Sequence, residues 1–432
     1  MFGRKSTASE DYDAYQALRI RDFRFLISAN FLNSLATTIL SIVIGYELYQ
    51  RTGSALALGM VGLVQITPNV VLSIPAGQLV DRFSQKRIAI LALSLNSAAA
   101  MSLAILTWYT GPLALIYGGL FVFGVGRAFL MPTRSTLIAS IVAGDGFGNA
   151  AAWSSSANQT AMVLGPAFGG GMVALLGSAA PVFGMASALM ATAAFLMSQL
   201  RPKPITRTKE KITKESLFAG IRFIRSKSVL LAAITLDMVA VLLGGATALL
   251  PIIAEEVLHV DAAGLGMMRA AIALGAVVTS MAIAHRGAFR AAGPTLLLAV
   301  AGFGLATIVL GLSRSFVLSL GALAFLGIFD SISVVIRSTL QLTLTPDYMR
   351  GRVSAINFVF IGMSNEFGEF ESGVMAALLG VTAAVIVGGV GTILVVPLIA
   401  LAWPEIWRLR EIKLESDPEV VAVEPAVQIA RG

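Results

Sequence analysis

Arg134-Ser135-Thr136-Leu137 recurs as Arg337-Ser338-Thr339-Leu340, an interval of 203 residues. Gly124, Gly165, Gly170 and Gly177 return at that interval as Gly327, Gly368, Gly373 and Gly380, and Ala174-Leu175-Leu176-Gly177 returns as Ala377-Leu378-Leu379-Gly380. Earlier in the chain, Gly59-Met60 matches Gly266-Met267 at an interval of 207, the difference being a loop-length adjustment. Any one match is within the reach of chance. A shared spacing over so much sequence is the mark of a duplicated unit, and the architecture has to be read from it before any motif.

The unit is a membrane unit. Of 432 residues, 56% are hydrophobic and 13% charged, against about 45–50% and about 25% in soluble domains, and the mean hydropathy is +0.83. Twelve apolar runs bounded by charges or turn residues fall near 24–50, 55–80, 88–110, 113–141, 147–175, 179–200, 229–254, 262–284, 292–313, 315–345, 353–378 and 381–404. Each can cover the roughly 20 residues that hydrocarbon requires. The predicted fold is therefore an all-α integral membrane protein of twelve transmembrane helices in two six-helix pseudo-symmetric halves. The expected divisions are 1–200 for the first half, a basic linker at 201–228, 229–404 for the second half, and a tail at 405–432. Two parallel copies imply an axis along the membrane normal, the arrangement in which one half rocks against the other around a midplane site.

The net charge of +7 is a matter of topology, with no nucleic-acid partner implied. Arg19, Arg21 and Arg24, Arg82, Lys86 and Arg87, the stretch Arg201 to Lys227, Arg286 and Arg290, Arg350 and Arg352, and Arg408, Arg410 and Lys413 all fall in segments on one side of the twelve-span scheme. The other side offers mainly Arg51 and Arg314. The positive-inside rule places the basic side, with both termini and the linker, in the cytoplasm of a plasma (inner) membrane. Within the linker, Leu217, Ile221 and Ile224 recur at helical spacing, as in an amphipathic helix lying on the cytoplasmic membrane face; a solvated linker fits equally. No cysteine is present and there are only two histidines, His259 and His285. Thiolate metal sites, cysteine nucleophiles and disulfides are excluded, and neither a metal nor a cofactor is expected.

Between the second and third runs stands Gly77-Gln78-Leu79-Val80-Asp81-Arg82-Phe83-Ser84-Gln85-Lys86-Arg87. It resembles the signature loop of the major facilitator superfamily, with Ser84-Gln85 where Gly-Arg is common. Leu18 to Leu26, Thr52 to Gly59 and Arg350-Gly351-Arg352-Val353 are similar to the siderophore-exporter and macrolide-efflux branch. The resemblance implies that Gly77, Asp81, Arg82, Lys86 and Arg87 form a cytoplasmic gate latch in which Asp81 meets a neighbouring helix end and an arginine. Gly165-Pro166-Ala167-Phe168-Gly169-Gly170 resembles the core of the antiporter motif and implies export; small residues also let helices approach closely at any tight contact. The resemblance further implies that the first, fourth, seventh and tenth spans line the cavity, which admits Asn30, Asn33 and Asp237.

The eleventh run carries Glu366, Glu369 and Glu371 where the first half has Val163, Pro166 and Phe168. Counted from Val353 at about 1.5 Å per residue, Glu366 lies roughly 20 Å into the span. A central acid costs roughly 2.5–3.5 kcal/mol on insertion scales, so three in one helix have to face protein or a water-filled cavity. Glu366 and Glu369 share a face and Glu371 turns away. Two neighbouring carboxylates share protons as a coupled pair, which makes these three the candidates for H+ coupling. Arg127, Asp237, Arg269 and Asp330 are the further candidate intramembrane charges, with Arg134 and Arg337 nearer the basic side; each could instead serve a neutralising pair that fixes helices. Arg127 and Asp330 differ by 203 and are positional equivalents.

The reading is a secondary transporter, an H+-driven exporter of a small amphiphilic solute such as a drug or siderophore, complete as a monomer. No Gly-x-x-x-x-Gly-Lys-Ser/Thr loop occurs, so ATP is not the indicated energy source. No nucleophile with its base is visible, so an enzyme is not expected. An importer, or a non-transporting receptor with the same fold, are the alternatives. The topology makes a direct prediction: a cysteine placed at 201–227 or near either terminus should react with impermeant maleimide only after the membrane is opened. Labelling of the linker from outside intact cells would contradict the twelve-span scheme.

Overall fold

The computed structural model describes residues 15–142, 147–201, 214–286 and 291–409. Twelve long helices carry the fold: α1 Arg21–Thr52, α2 Ala55–Arg82, α3 Gln85–Trp108, α4 Leu113–Ile141, α5 Phe147–Leu176, α6 Ala180–Ser198, α7 Ser228–Leu243 with a continuation to Val257, α8 Ala262–Arg286, α9 Ala292–Leu312, α10 Phe316–Leu344, α11 Asp347–Leu379 and α12 Val381–Ala402. Eleven of them are apolar and long enough to cross a membrane. The remaining one, α11, carries Glu366, Glu369 and Glu371 and fails on composition, as the charges dictate. It begins at Asp347, six residues ahead of Val353. Arg350 and Arg352 thus belong to the helix, and Glu366 sits six residues further from its start than the count from Val353 implied.

The duplication is visible in the backbone. Gly177 and Gly380, 203 residues apart, both adopt a positive φ, of 64° and 84°, in the tight corners after α5 and α11. The same helix pairs recur in each half: α1 with α5, α2 with α4, and α3 with α6 are matched by α7 with α11, α8 with α10, and α9 with α12. The copies diverge in α7, which breaks at Gly244 and proceeds through a 3-10 turn at Ala246–Leu249 and a π turn at Ile253–Val257. Nonstandard turns of this kind are tolerated at membrane depth where protein surrounds them, and Ala246, Ala248 and Leu249 are buried.

Lys214–Ser226 in the linker is helical. Its apolar side packs on the protein itself: Ile224 is buried against Leu230 and Ile234 of α7 and Met349, Val353 and Ile356 of α11, while Arg222 and Arg225 are exposed. The amphipathic helix expected in the linker is thus present, with part of its apolar side against the ends of α7 and α11. The side chain of Leu217 lies outside those described.

Contact between the halves runs along two seams, α2 with α11 and α5 with α8. Glycine sets both. A Cβ on Gly373 would lie 2.8 Å from Gly59 Cα, and one on Gly170 would lie 2.9 Å from Gly266 Cα. Close backbone approach is the main source of helix association in lipid, where no hydrophobic force pulls helices together. The ends of α1 and α7 on the side opposite the basic loops add polar ties: Tyr49 Oη donates to Glu256, and Gln50 Nε2 donates to Glu255 Oε2 at 2.8 Å. All these contacts lie toward that far side, which they close. Gly373→Ile should pry the α2–α11 seam apart. A cysteine at Ser41 should then label from the far side at least ten times faster than in the parent chain; an unchanged rate would show that the seam is not the closure.

Candidate functional site

A cavity of about 260 Å³ lies between the halves, lined by Ser41 and Gly45 of α1, Val61 and Gln65 of α2, Arg127 of α4, Arg269 of α8, and Asn365, Glu366 and Glu369 of α11. Gly62 explains how α11 comes so close: a Cβ there would lie 2.7 Å from the Glu366 carbonyl oxygen and 3.2 Å from Glu369 Cβ. The missing side chain admits both carboxylates to the shared wall.

Arg127 Nη1 donates to Glu366 Oε1 at 3.2 Å across the interface. The Arg127 side chain is 42% exposed although its neighbours Gly126 and Ala128 are buried, whereas Glu366 is 13% exposed. The pair is half-wet, so its Coulomb energy is modest and its bond can be exchanged. Arg269 donates from Nη1 to Ser41 Oγ at 3.0 Å and from Nη2 to the Thr247 carbonyl at 3.4 Å, and its buried Nε has no partner. Glu369 feels the charge of Arg269 and Arg127, and Glu366 that of Glu369. Two guanidinium and two carboxyl groups thus share one small space. Adding a proton to either carboxyl would loosen an arginine, and an arriving anion or cation would shift the same balance.

Other expected residues fall elsewhere. Asp237 is turned into the packing of the second half, where Arg337 Nη1 donates to Asp237 Oδ2 at 2.5 Å with both side chains 8% exposed. Arg337 Nε also donates to Ser333 Oγ at 3.2 Å, and Asp330 lies within the field of Arg337 and Asp237. Neither aspartate is on the lining of the interface cavity, and Asp237 is held toward Arg337 within its own half. Asn30 and Asn33 are off the lining too, with Asn30 Nδ2 and Asn33 Oδ1 buried and unpartnered. Glu371, half-buried, is off the lining as well.

The glycine motif of α5 forms a two-sided seam. A Cβ on Gly165 would lie 2.8 Å from Thr38 Cβ and one on Gly169 3.1 Å from Ile42 Cγ2, both on α1; Gly170 and the Pro166 carbonyl meet Gly266 of α8. In the signature loop, α2 runs through Arg82 and α3 starts at Gln85. Lys86 Nζ donates to the Leu200 carbonyl at 2.8 Å at the end of α6, and Arg87 is exposed. Gly77 and the side chains of Asp81 and Arg82 lie outside those described. Sequence reasoning passed over Ser41, Gln65 and Gly62. Gln65 carried a signal, as one of three amides, with Asn69 and Gln78, inside the apolar run 55–80; Gly62 carried none, since its meaning depends on which helix faces it.

With this geometry established, similarity to known proteins is informative. Residues 12–430 match the family described as transmembrane secretion effector. The enterobactin exporter EntS of Citrobacter koseri is 25% identical over 394 residues, 90% of this chain and 93% of that protein. The enterobactin exporter EntS of Escherichia coli O1:K1 / APEC is 23% identical over 405 residues, 93% and 95% of the two chains. Among solved structures, a bacterial homolog of the human lysosomal transporter Spinster, inward-facing and unoccupied, superposes with a TM-score of 0.69 at 14% identity, covering 91% of this chain and 97% of that one. A POT family transporter in complex with 5-aminolevulinic acid gives 0.70 at 14% identity, covering 89% and 96%. These two show the fold alone.

The buried Asp237–Arg337 pair has a measurable consequence. Losing one partner leaves the other charge uncompensated in the helix packing, at a cost of about 3–5 kcal/mol. Asp237→Asn should therefore lower the unfolding temperature in detergent markedly, and the double change D237L/R337M should recover most of the loss. A single mutant that unfolds at the parent temperature would show that the pair neutralises nothing of consequence.

Proposed function

Because the chain belongs to the transmembrane secretion effector family of the major facilitator superfamily, we propose that it is a secondary exporter that works by alternating access and exchanges H+ for a small amphiphilic solute. The observation that carries this reading is the convergence of Arg127, Arg269, Glu366 and Glu369 from both halves on one cavity. The multi-pass fold and the exporter relatives give the class; the proton and the direction are inferred from the chemistry of the cavity. A siderophore-like solute is the first candidate, on the strength of the enterobactin exporters it resembles, with drug-like amphiphiles next.

In the cycle we infer, the basic side is cytoplasmic by the positive-inside rule. The closed far side then makes the described conformation inward-facing. Solute enters from the cytoplasm while the α2–α11 and α5–α8 seams are shut. When those seams part, the wall that Gly62 presents to Glu366 and Glu369 moves away, and protons reach the carboxyls from outside. Protonation of Glu366 releases Arg127 and protonation of Glu369 weakens its hold on Arg269, so the two halves separate differently in the loaded and unloaded states. Protons leave to the cytoplasm on return. Asp81 and its neighbours latch the cytoplasmic ends in the outward-facing state. One chain supplies both walls of the cavity, so a monomer suffices, and no chemical conversion of the solute is involved.

Glutamine substitution separates coupling from support. In proteoliposomes with an imposed pH gradient, Glu366→Gln or Glu369→Gln should reduce driven flux at least tenfold while downhill exchange of bound solute persists. A well-folded double mutant with unaltered gradient-driven flux would eliminate the assignment. Loss of folded yield together with binding would show instead that the carboxyls serve only to hold helices.

A further inference from the structure

The two halves treat their repeat-related arginines differently. Arg337 is neutralised by Asp237 and held by Ser333. Arg134, 203 residues earlier, has one partner, the Ser154 carbonyl at 3.5 Å. Intervals of 203 to 207 set Asp237 opposite residues 30–34, and these read Asn30-Phe31-Leu32-Asn33-Ser34 without an acid. Helices α4 and α5 contain no acidic residue along their whole length. The two acids of α1 are engaged elsewhere, Asp22 with the Arg201 N–H at 3.2 Å and Glu47 with Arg51. Among the described residues, the half-buried Arg134 therefore has no carboxylate.

Its surroundings are apolar, with orphaned polar groups beside them. Leu130 and Leu137 on α4, Ala29 and Leu32 on α1, and Ala150 and Trp153 on α5 pack in one apolar cluster around this level. Next in sequence to Trp153 and Ala29 of that cluster, Ser154 Oγ and Asn30 Nδ2 are buried with no partner, while Ser34 Oγ donates to Asn158 Oδ1 at 3.0 Å and ties α1 to α5 one turn further on. Arg134 is also seven residues along α4 from Arg127, two turns or about 10 Å toward the basic side on the same helix face. It thus stands between the basic side and the level of the Arg127–Glu366 pair. An unneutralised cation among apolar side chains is costly, and a planar guanidinium with neighbouring N–H and O–H donors matches a carboxylate or similar oxyanion.

We propose that Arg134, with Asn30 and Ser154, binds the anionic group of the transported solute, so that the exporter's cargo class is organic anions. The identification of the anion as cargo rests on the export reading; the binding site itself does not. Arg337 has no such role, because Asp237 already occupies its fork.

The test is equilibrium binding to the purified full-length chain, with benzoate and its neutral isostere benzamide as probes and the fluorescence of Trp153, next to Ser154, as the signal. Benzoate should bind at least tenfold more tightly than benzamide, Arg134→Gln should abolish the preference, and Arg134→Lys should keep part of it. Photolabelling of the unsubstituted chain with 4-azidobenzoate should mark residues 150–158 of α5, and 4-azidobenzamide should not; this arm decides the matter should R134Q not fold. Equal affinity for the two probes, an intact preference in folded R134Q, or labelling confined to other segments would each overturn the site. Gradient-driven flux of an anionic dye, measured on the same preparations, reports on the export reading separately: a benzoate preference without flux keeps the site and rejects the exporter, and flux without a benzoate preference rejects the anion site and leaves the exporter standing.

Discussion

Charge inside hydrocarbon has to be answered by protein or water, and this requirement organises the molecule. Three carboxyl groups on α11 cannot face lipid. The helix that carries them therefore packs between α2, α7 and α12, with Glu366 reaching Arg127 on the opposite half. In the second half the same requirement is met privately, by Asp237 and Arg337. One kind of pairing is shared between the halves and the other is sealed within one of them. The shared kind can be remade during motion; the sealed kind holds its half together as a rigid body.

Close approach of helices is the second determinant. Gly59, Gly62 and Gly373 on one seam and Gly170 and Gly266 on the other remove the side chains that would keep the halves apart. Packing of this sort is tight but short-ranged, and a small separation forfeits much of its dispersion energy. Such seams suit a gate, since they are stable when closed and offer little resistance once parted. The polar ties at Tyr49–Glu256 and Gln50–Glu255 add orientation at the rim.

The fold was almost fully legible in the sequence, for definite reasons. Spans announce themselves because lipid punishes every interrupting charge, and the repeat interval divides them into halves. The least apolar span, α11, was still legible as the run 353–378 between charged and turn residues. The site was legible only in part. Glu366 and Glu369 could be read as one face, since three residues on a helix fix their relation. Their partners could not: the repeat makes Arg127 the positional equivalent of Asp330 but says nothing of what touches across the interface, where Arg127 meets Glu366. Asp237 and the two asparagines were expected in the cavity from the family's lining helices, and a helix that lines a cavity also has sides that do not. The break in α7 at Gly244 left no periodicity signal, as its residues stay apolar throughout.

Gly62 carries a consequence for how such a protein can diversify. The backbone that it exposes is at once part of the closure between the halves and the wall against which Glu366 and Glu369 rest. Opening the closure necessarily uncovers the carboxyls, so no separate relay has to inform one of the other. On the coupling proposed above, a chain built this way is protected against slippage by geometry, but it has no freedom to alter α2 or α11 without disturbing that coupling. Novelty in what is carried has to arise on helices outside that contact, and the walls of α1, α4 and α5 are where a lineage of such proteins can change its cargo while leaving its engine untouched.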